Sequence, residues 1–288
     1  MAEPSEETAE AASAPARDPA VAAAAAGEPA AAAREAWLRR FHAAAPGITS
    51  AALARGGTYE RLAALVPPGA RVLDLGAGDG YLCELLAARG ARPVGVDFSH
   101  AELARLRARA GGALCGVAAR AQALPFADGA FDACVCHLAF MLMEDAPAVA
   151  GELARVLAPG GWFAAVLGGG PVVEPADGES DAFHRFLAIA GPRFRAPGLG
   201  DPRARSERGW RELLPGWEIA FERWEVDLAG TFDEVWRFLG ASYQLPREDA
   251  AAVRAELAAA VAELTDADGR VPCRMVTWLA TARRGARR

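Results

Sequence analysis

Two hydrophobic periods alternate through the middle of the chain. Short apolar runs of strand length are separated by stretches with helical spacing. RVLDLG (71–76) predicts a strand, and YLCELLAARG (81–90) a helix closed by Gly90. RPVGVDF (92–98) predicts the next strand. SHAELARLRARAG then opens with Ser99 and carries Glu102 three residues on, a capping-box pattern at a helix start. ALCGVAA is a short apolar piece ahead of a loop at ALPFADG. FDACVCHLAFML (131–142) predicts a buried strand and its exit, APAVAGELARVLAPGG a helix stopped by Pro-Gly-Gly, and WFAAVLGG (162–169) a further strand. This order predicts an α/β fold on a parallel sheet with right-handed crossovers.

The flanks read differently. Residues 1–33 are largely Ala, Glu and Pro, too poor in large apolar side chains to offset the entropy of ordering, and predict a disordered tail. Trp37, Leu38 and Phe41 sit at helical spacing before Pro46-Gly47, and a second helix is expected from Ser50 to Pro67-Pro68-Gly69. Residues 171–215 are rich in Pro, Gly and Arg around one short helix, DAFHRFLAIA. After them come a strand (217–228), the helices TFDEVWRFLGASY and REDAAAVRAELAAAVAELT, and a last strand (273–284). No internal repeat is visible.

Composition removes whole classes of chemistry. All 31 basic side chains are Arg, and neither Lys nor Asn occurs, a bias that a GC-rich genome explains. Even so, no Schiff-base lysine, P-loop lysine or N-glycosylation acceptor is present. A net charge of −6 gives no general attraction to nucleic acid or an anionic membrane, although the C-terminus reads ARRGARR. The 5 cysteines include no Cys-x-x-Cys, so a disulfide framework is not expected. Cys134, Cys136 and His137 lie close together, but in an apolar strand where free Cys packs as core, and no metal is expected. No apolar run has membrane-spanning length, and the acidic N-terminus is unlike a signal peptide. The expected location is a reduced cytoplasm.

The densest chemistry lies in VLDLGAGDGYL (72–82), where Asp74 precedes Gly76, Gly78 and Gly80. A glycine loop between a first strand and its helix brings backbone N–H groups against a ligand. The third glycine of the dinucleotide fingerprint would fall at position 81, which is Tyr, and the P-loop lysine is absent. An acid at the strand end is poorly suited to a diphosphate but well suited to an amine. Asp97 ends the second strand, where a carboxylate accepts from adjacent ribose hydroxyls. Acid, glycines and acid together describe a nucleoside bearing an amino acid and no phosphate: S-adenosylmethionine.

From about Tyr59 to Gly169 the chain resembles the class I S-adenosylmethionine-dependent methyltransferases. VLDLGAGDGYL, VGVDFS, ALPFADGAFDACVC and ELARVLAPGGWFAAV are similar to that family's motifs in order and spacing. The resemblance implies a Rossmann-like α/β fold: a mostly parallel seven-stranded sheet, helices on both faces, and a helical cap. It implies one domain over 34–288, with cap segments at about 34–60, 171–215 and 229–265. It further implies that Asp74 and the backbone of Gly76, Ala77, Gly78 and Gly80 hold the methionine end, that Asp97 holds the ribose, and that Phe98 flanks adenine. Where the family often has an Asp accepting from the adenine amino group, this chain has Arg120, which has no acceptor. Ala121 and Gln122 are left to read the ring.

Methyl transfer from a sulfonium is an in-line displacement, so holding the reactants in line supplies much of the rate. His137, just past the fourth strand, is the first candidate for a base and lies beside the cofactor; His42 is second and His184 third, while His100 is expected in solvent. Trp236, Phe238 and Tyr243, with Met141, Leu142 and Met143, are candidates for an apolar substrate pocket. Glu144-Asp145 are expected to begin the next helix. The reading is a methyltransferase of a small, partly apolar molecule. Its rivals are an enzyme of the same fold catalysing a cyclisation or rearrangement without methyl transfer, and a non-catalytic binding module. Acidity, and HLAF where base-methylating enzymes carry an N-P-P-Y-type segment, disfavour a nucleic-acid substrate. Fold and cofactor do not fix the pocket, so the substrate, the methylated atom and the oligomeric state stay open.

Overall fold

The structure is a computed structural model that describes residues 30–172, 180–193, 198–243, 245 and 247–285. Residues 1–29, most of the expected tail, lie outside the described residues. The first helix, α1 (Ala30–Ala44), takes up the remainder, and Ala33 is already buried. The second expected helix is broken into α2 (Ile48–Leu53) and α3 (Thr58–Ala64). Gly57 stands between them at φ 67°, a left-handed conformation that ends one helix and starts the next.

Then the alternation follows: β1 (Arg71–Leu75), α4 (Tyr81–Ala88), β2 (Arg92–Asp97), α5 (His100–Ala108), β3 (Cys115–Ala118), β4 (Phe131–His137). Next come α6 (Ala146–Val156), β5 (Leu157–Pro171), α7 (Ala182–Ala190), α8 (Glu207–Leu213), β6 (Trp217–Asp227), α9 (Phe232–Leu239), α10 (Ala250–Val261) and β7 (Arg274–Arg284). The sheet has 7 strands in the order β3-β2-β1-β4-β5-β7-β6. β1 to β5 pair in parallel, and β7 runs antiparallel to both β5 and β6. The mostly parallel Rossmann-like sheet is therefore present, closed by an antiparallel insertion at one edge.

Helix α8 was not expected from the sequence. Its segment, ERGWREL, is short and charged, but Trp210, Leu213 and the following Leu214 fall on one stripe and are all buried. Ser206 caps it by accepting from the Gly209 amide, and the Trp210 ring stacks on Phe163 of β5 at 5.0 Å. At α5 the capping box is only half made. Ser99 accepts from the Glu102 amide, but the Glu102 carboxylate turns away to the Gly47 amide and His42. Asp145 caps α6 as expected, whereas Glu144 points back to Arg34 of α1.

The strand period of two sorts side chains onto opposite faces of the sheet. Val72 and Val135 pack under α3, α4, α7, α9 and α10; Leu73, Leu75, Cys134 and Cys136 pack under α6 and α8. Cys134 and Cys136 thus share a face that His137 does not, so the C-x-C-H run cannot converge on one ion. Among the described residues no group of His, Cys, Asp and Glu has metal-holding geometry. No helix among them is long and apolar enough to cross a membrane. The strand order reverses between β1 and β4, and a parallel sheet opens a crevice at the carboxyl ends of the strands at such a point.

Candidate active site

A cavity of about 1120 Å³, counting its mouth, opens at that crevice. Register explains its floor. Asp74 pairs with Val135 across β1 and β4, so Asp74 and His137, two residues further on, share one face at the strand ends. Asp74 is almost fully buried, and burial raises its carboxyl to about 7; the Cys83 thiol donates to it at 3.3 Å and opposes that rise, while Asp97 and Asp79 add to it.

The three glycines are needed for different reasons. Gly76, Gly78 and Gly80 all have positive φ. A Cβ on Gly76 would lie 2.5 Å from the Ala139 side chain at the β4 exit, and one on Gly80 would lie 2.6 Å from Leu106 of α5. At Gly78 the space is open to the cavity, with nothing nearer than the Glu102 carboxylate at 4.0 Å. The loop is tied to β2: the Gly76 and Ala77 amides donate to the Val96 carbonyl, and the Gly78 amide donates to Asp97 Oδ2. Asp97 Oδ1 accepts from the Ser99 amide at 2.8 Å. Each Asp97 oxygen keeps a second lone pair, Asp97 lines the cavity, and burial pushes this carboxyl up too. Asp79, inside the loop, accepts from Ser50 Oγ and pairs with Arg109, which locks the loop to α2.

His137 lines the cavity but is held tightly. Its ring stacks on Tyr59 with centroids 3.6 Å apart, and Nε2 is 2.8 Å from Thr58 Oγ1. Nδ1 is buried with no partner, and burial pushes the imidazole down to about 3. His42 lines the opposite wall, from α1. Its Nδ1 is 3.0 Å from the buried Glu102 carboxylate, and its Nε2 is 3.1 Å from the Tyr243 hydroxyl. Glu102 escaped the sequence reading because the capping pattern already accounted for it. His184 does not reach the site; its ring bonds Asp181 at the start of α7. His100 is exposed, as expected.

Of the expected apolar wall, Leu142, Met143 and Tyr243 line the cavity. Trp236 and Phe238 do not: α9 ends at Leu239, before Tyr243, and turns both rings into the core, where Phe238 meets Phe183 edge-on. Met141 is also displaced, packed on β5 with its sulfur accepting from the Gly168 amide. Segments 34–60 and 229–265 reach the cavity; the described residues of 171–215 contribute none of its lining. At the β2–β3 end stand Phe98, Ala119, Arg120, Ala121 and Gln122. The Gln122 amide nitrogen donates to the Glu144 carbonyl, which fastens this loop to the β4 exit.

The donor set suits a nucleoside bearing an amino acid. A buried carboxylate lies beside a glycine-rich loop, and a second carboxylate keeps lone pairs at the end of β2. Arg120, the arginine of the described lining, is paired with Glu35.

Comparison with known proteins agrees. Residues 73–165 match the methyltransferase domain family model. A demethylmenaquinone methyltransferase of Corynebacterium urealyticum is 35% identical over 164 residues, which cover 52% of this chain and 69% of that protein. The uncharacterized protein Rv1405c of Mycobacterium tuberculosis is 41% identical over 107 residues, 36% of this chain and 39% of that protein. The match therefore spans well under half of the mycobacterial protein. The protein BH2331 of Bacillus halodurans shares the fold with a TM-score of 0.53 at 21% identity, over 79% of this chain and 99% of its own. The chain belongs to the class I S-adenosylmethionine-dependent methyltransferases.

Proposed function

We propose that the protein transfers the methyl group of S-adenosylmethionine to a small, partly apolar molecule. The observation that carries this reading is the division of one cavity into two halves. One half is the Asp74–glycine–Asp97 arc; the other is the apolar wall of Leu138, Leu142 and Met143 around His137. The relatives named demethylmenaquinone methyltransferases also support a small-molecule acceptor.

The cofactor supplies an electrophilic methyl group on a sulfonium. Asp74 would hold its amino end and the Gly76–Gly80 loop its methionine part, Asp97 would hold the ribose hydroxyls, and Phe98 and Ala121 would flank the base. His137 stands in the cavity wall on the acceptor side. Its low basicity and its lack of a carboxylate partner favour a neutral hydrogen-bonding role over that of a base. Where the acceptor must lose a proton, His42 is the better-placed base, because the Glu102 carboxylate orients its ring at Nδ1 and its Nε2 meets the Tyr243 hydroxyl, which lines the cavity. Tyr59, Leu38 and Tyr243 shield the site from water.

Calorimetric titration of S-adenosylmethionine and S-adenosylhomocysteine into the wild type and Asp97→Ala tests the reading. Micromolar binding that the substitution weakens about tenfold, about 1.4 kcal/mol, is the expected outcome. A folded protein that gives no heat with either ligand would point instead to a binding module that has lost its cofactor.

A further inference from the structure

We propose that Glu35, carried on α1 rather than on the sheet, reads the exocyclic amino group of the cofactor's adenine, and that Arg120 and Arg39 hold its carboxylate in place to do so. This rests on the reading that the cavity takes S-adenosylmethionine.

With Asp97 on the ribose, the base extends toward the wall formed by Phe98 and residues 119–122. The side chains of that wall offer little to an amino group. Phe98, Ala119 and Ala121 have no polar side-chain atom, Arg120 only donates, and Gln122 is tied by its amide nitrogen to the Glu144 carbonyl. The carboxylate that reaches this end is Glu35 of α1. Glu35 Oε2 accepts from Arg120 Nη2 at 2.6 Å, and Oε1 accepts from Arg39 Nη2 at 2.9 Å and Nε at 3.3 Å. Arg39 is itself fixed, donating to the Phe98 carbonyl at 3.0 Å with its guanidinium 4.7 Å from the Phe98 ring centroid.

Glu35 is thus clamped from two sides by Arg39 and Arg120, lines the cavity with its side chain 21% exposed, and keeps an uncommitted lone pair on Oε2. A carboxylate in that position accepts from an amino group and repels a carbonyl. It therefore selects adenine over hypoxanthine. Arg120, which has no acceptor to offer the base, acts as a positioning residue for the acid that has one.

The test is calorimetric binding of S-adenosylhomocysteine and S-inosylhomocysteine to the full chain. The wild type should prefer the adenosyl ligand by about 30-fold or more, because the inosyl carbonyl leaves a buried acceptor facing another acceptor. In Glu35→Gln that preference should fall below about threefold, since a carboxamide can turn either its carbonyl or its NH2 to the base. Arg34→Ala, which loosens α1 elsewhere, should weaken both ligands without changing their ratio. Gln122→Ala should also keep the ratio. A preference that survives Glu35→Gln, or that vanishes in Gln122→Ala instead, overturns the assignment while leaving the cofactor reading intact. Failure of the folded wild type to bind either ligand would remove both.

Discussion

Asp74 shows how the burial of one residue becomes a pH dependence. In the unfolded chain its carboxyl titrates near the ordinary 3.8; in the folded protein desolvation holds the proton on until about 7. Between those values the folded state binds more protons than the unfolded state, so this group's contribution to stability is lost as pH rises through the window. An ammonium placed beside Asp74 favours the ionised form and reverses the preference. S-adenosylhomocysteine affinity is therefore expected to rise from about pH 5.5 to about pH 7.5 with release of a proton. Calorimetry in buffers of different ionisation enthalpy reads both effects, and Asp74→Asn should flatten them. A flat wild-type profile would mean that the amino end lies elsewhere. His137 has the opposite sign: held to about 3, it stays neutral across the same range.

At the scale of the element, α1 behaves as a latch. Its last turns bury Leu38 and pack the Trp37 and Phe41 rings at a tilt against Tyr243. Its polar face is tied down by Arg34 to Glu144 through two bonds of 2.6 and 2.7 Å, by Arg39 to the Phe98 carbonyl, and by His42 to Glu102. The two-pronged Arg34–Glu144 pair is half-buried and charge-assisted, and so stronger than an exposed ion pair. Arg34→Ala is expected to weaken S-adenosylhomocysteine about three- to tenfold, a loss of about 1 kcal/mol. It should also speed amide exchange in α1 while the strands stay protected. Equal exchange in α1 of variant and wild type would show that the apolar contacts alone hold the helix. The helix was legible from Trp37, Leu38 and Phe41, but its partners were not: each lies 59 or more residues away in the chain.

Across the whole molecule, the sheet separates stability from chemistry. Trp210 is fully buried against Phe163, Phe140 and Phe221, on the face under α6 and α8. Trp210→Ala should cost about 3–5 kcal/mol by cavity formation. The cavity draws none of its lining from that cluster of rings, so cofactor affinity should be unchanged. Denaturant unfolding and calorimetry on the same variant check the pair; a matching loss of affinity would mean that the crevice depends on packing beneath α8.

The order of β1 to β5, the glycine loop and the paired acids Asp74 and Asp97 were all fixed locally, by period, by residue type and by spacing along a short stretch of chain. Those signals survive without neighbours, because a pleat, a positive φ and a strand-end carboxylate are properties of a few consecutive residues. The partners of these groups were decided only on folding. Glu102 serves His42 and Gly47 rather than its own helix start, Trp236 turns to the core while Tyr243 turns to the cavity, and Arg120 finds Glu35. In each case the choice lies between competing contacts of similar strength from distant segments, and only the way those segments pack decides which one forms.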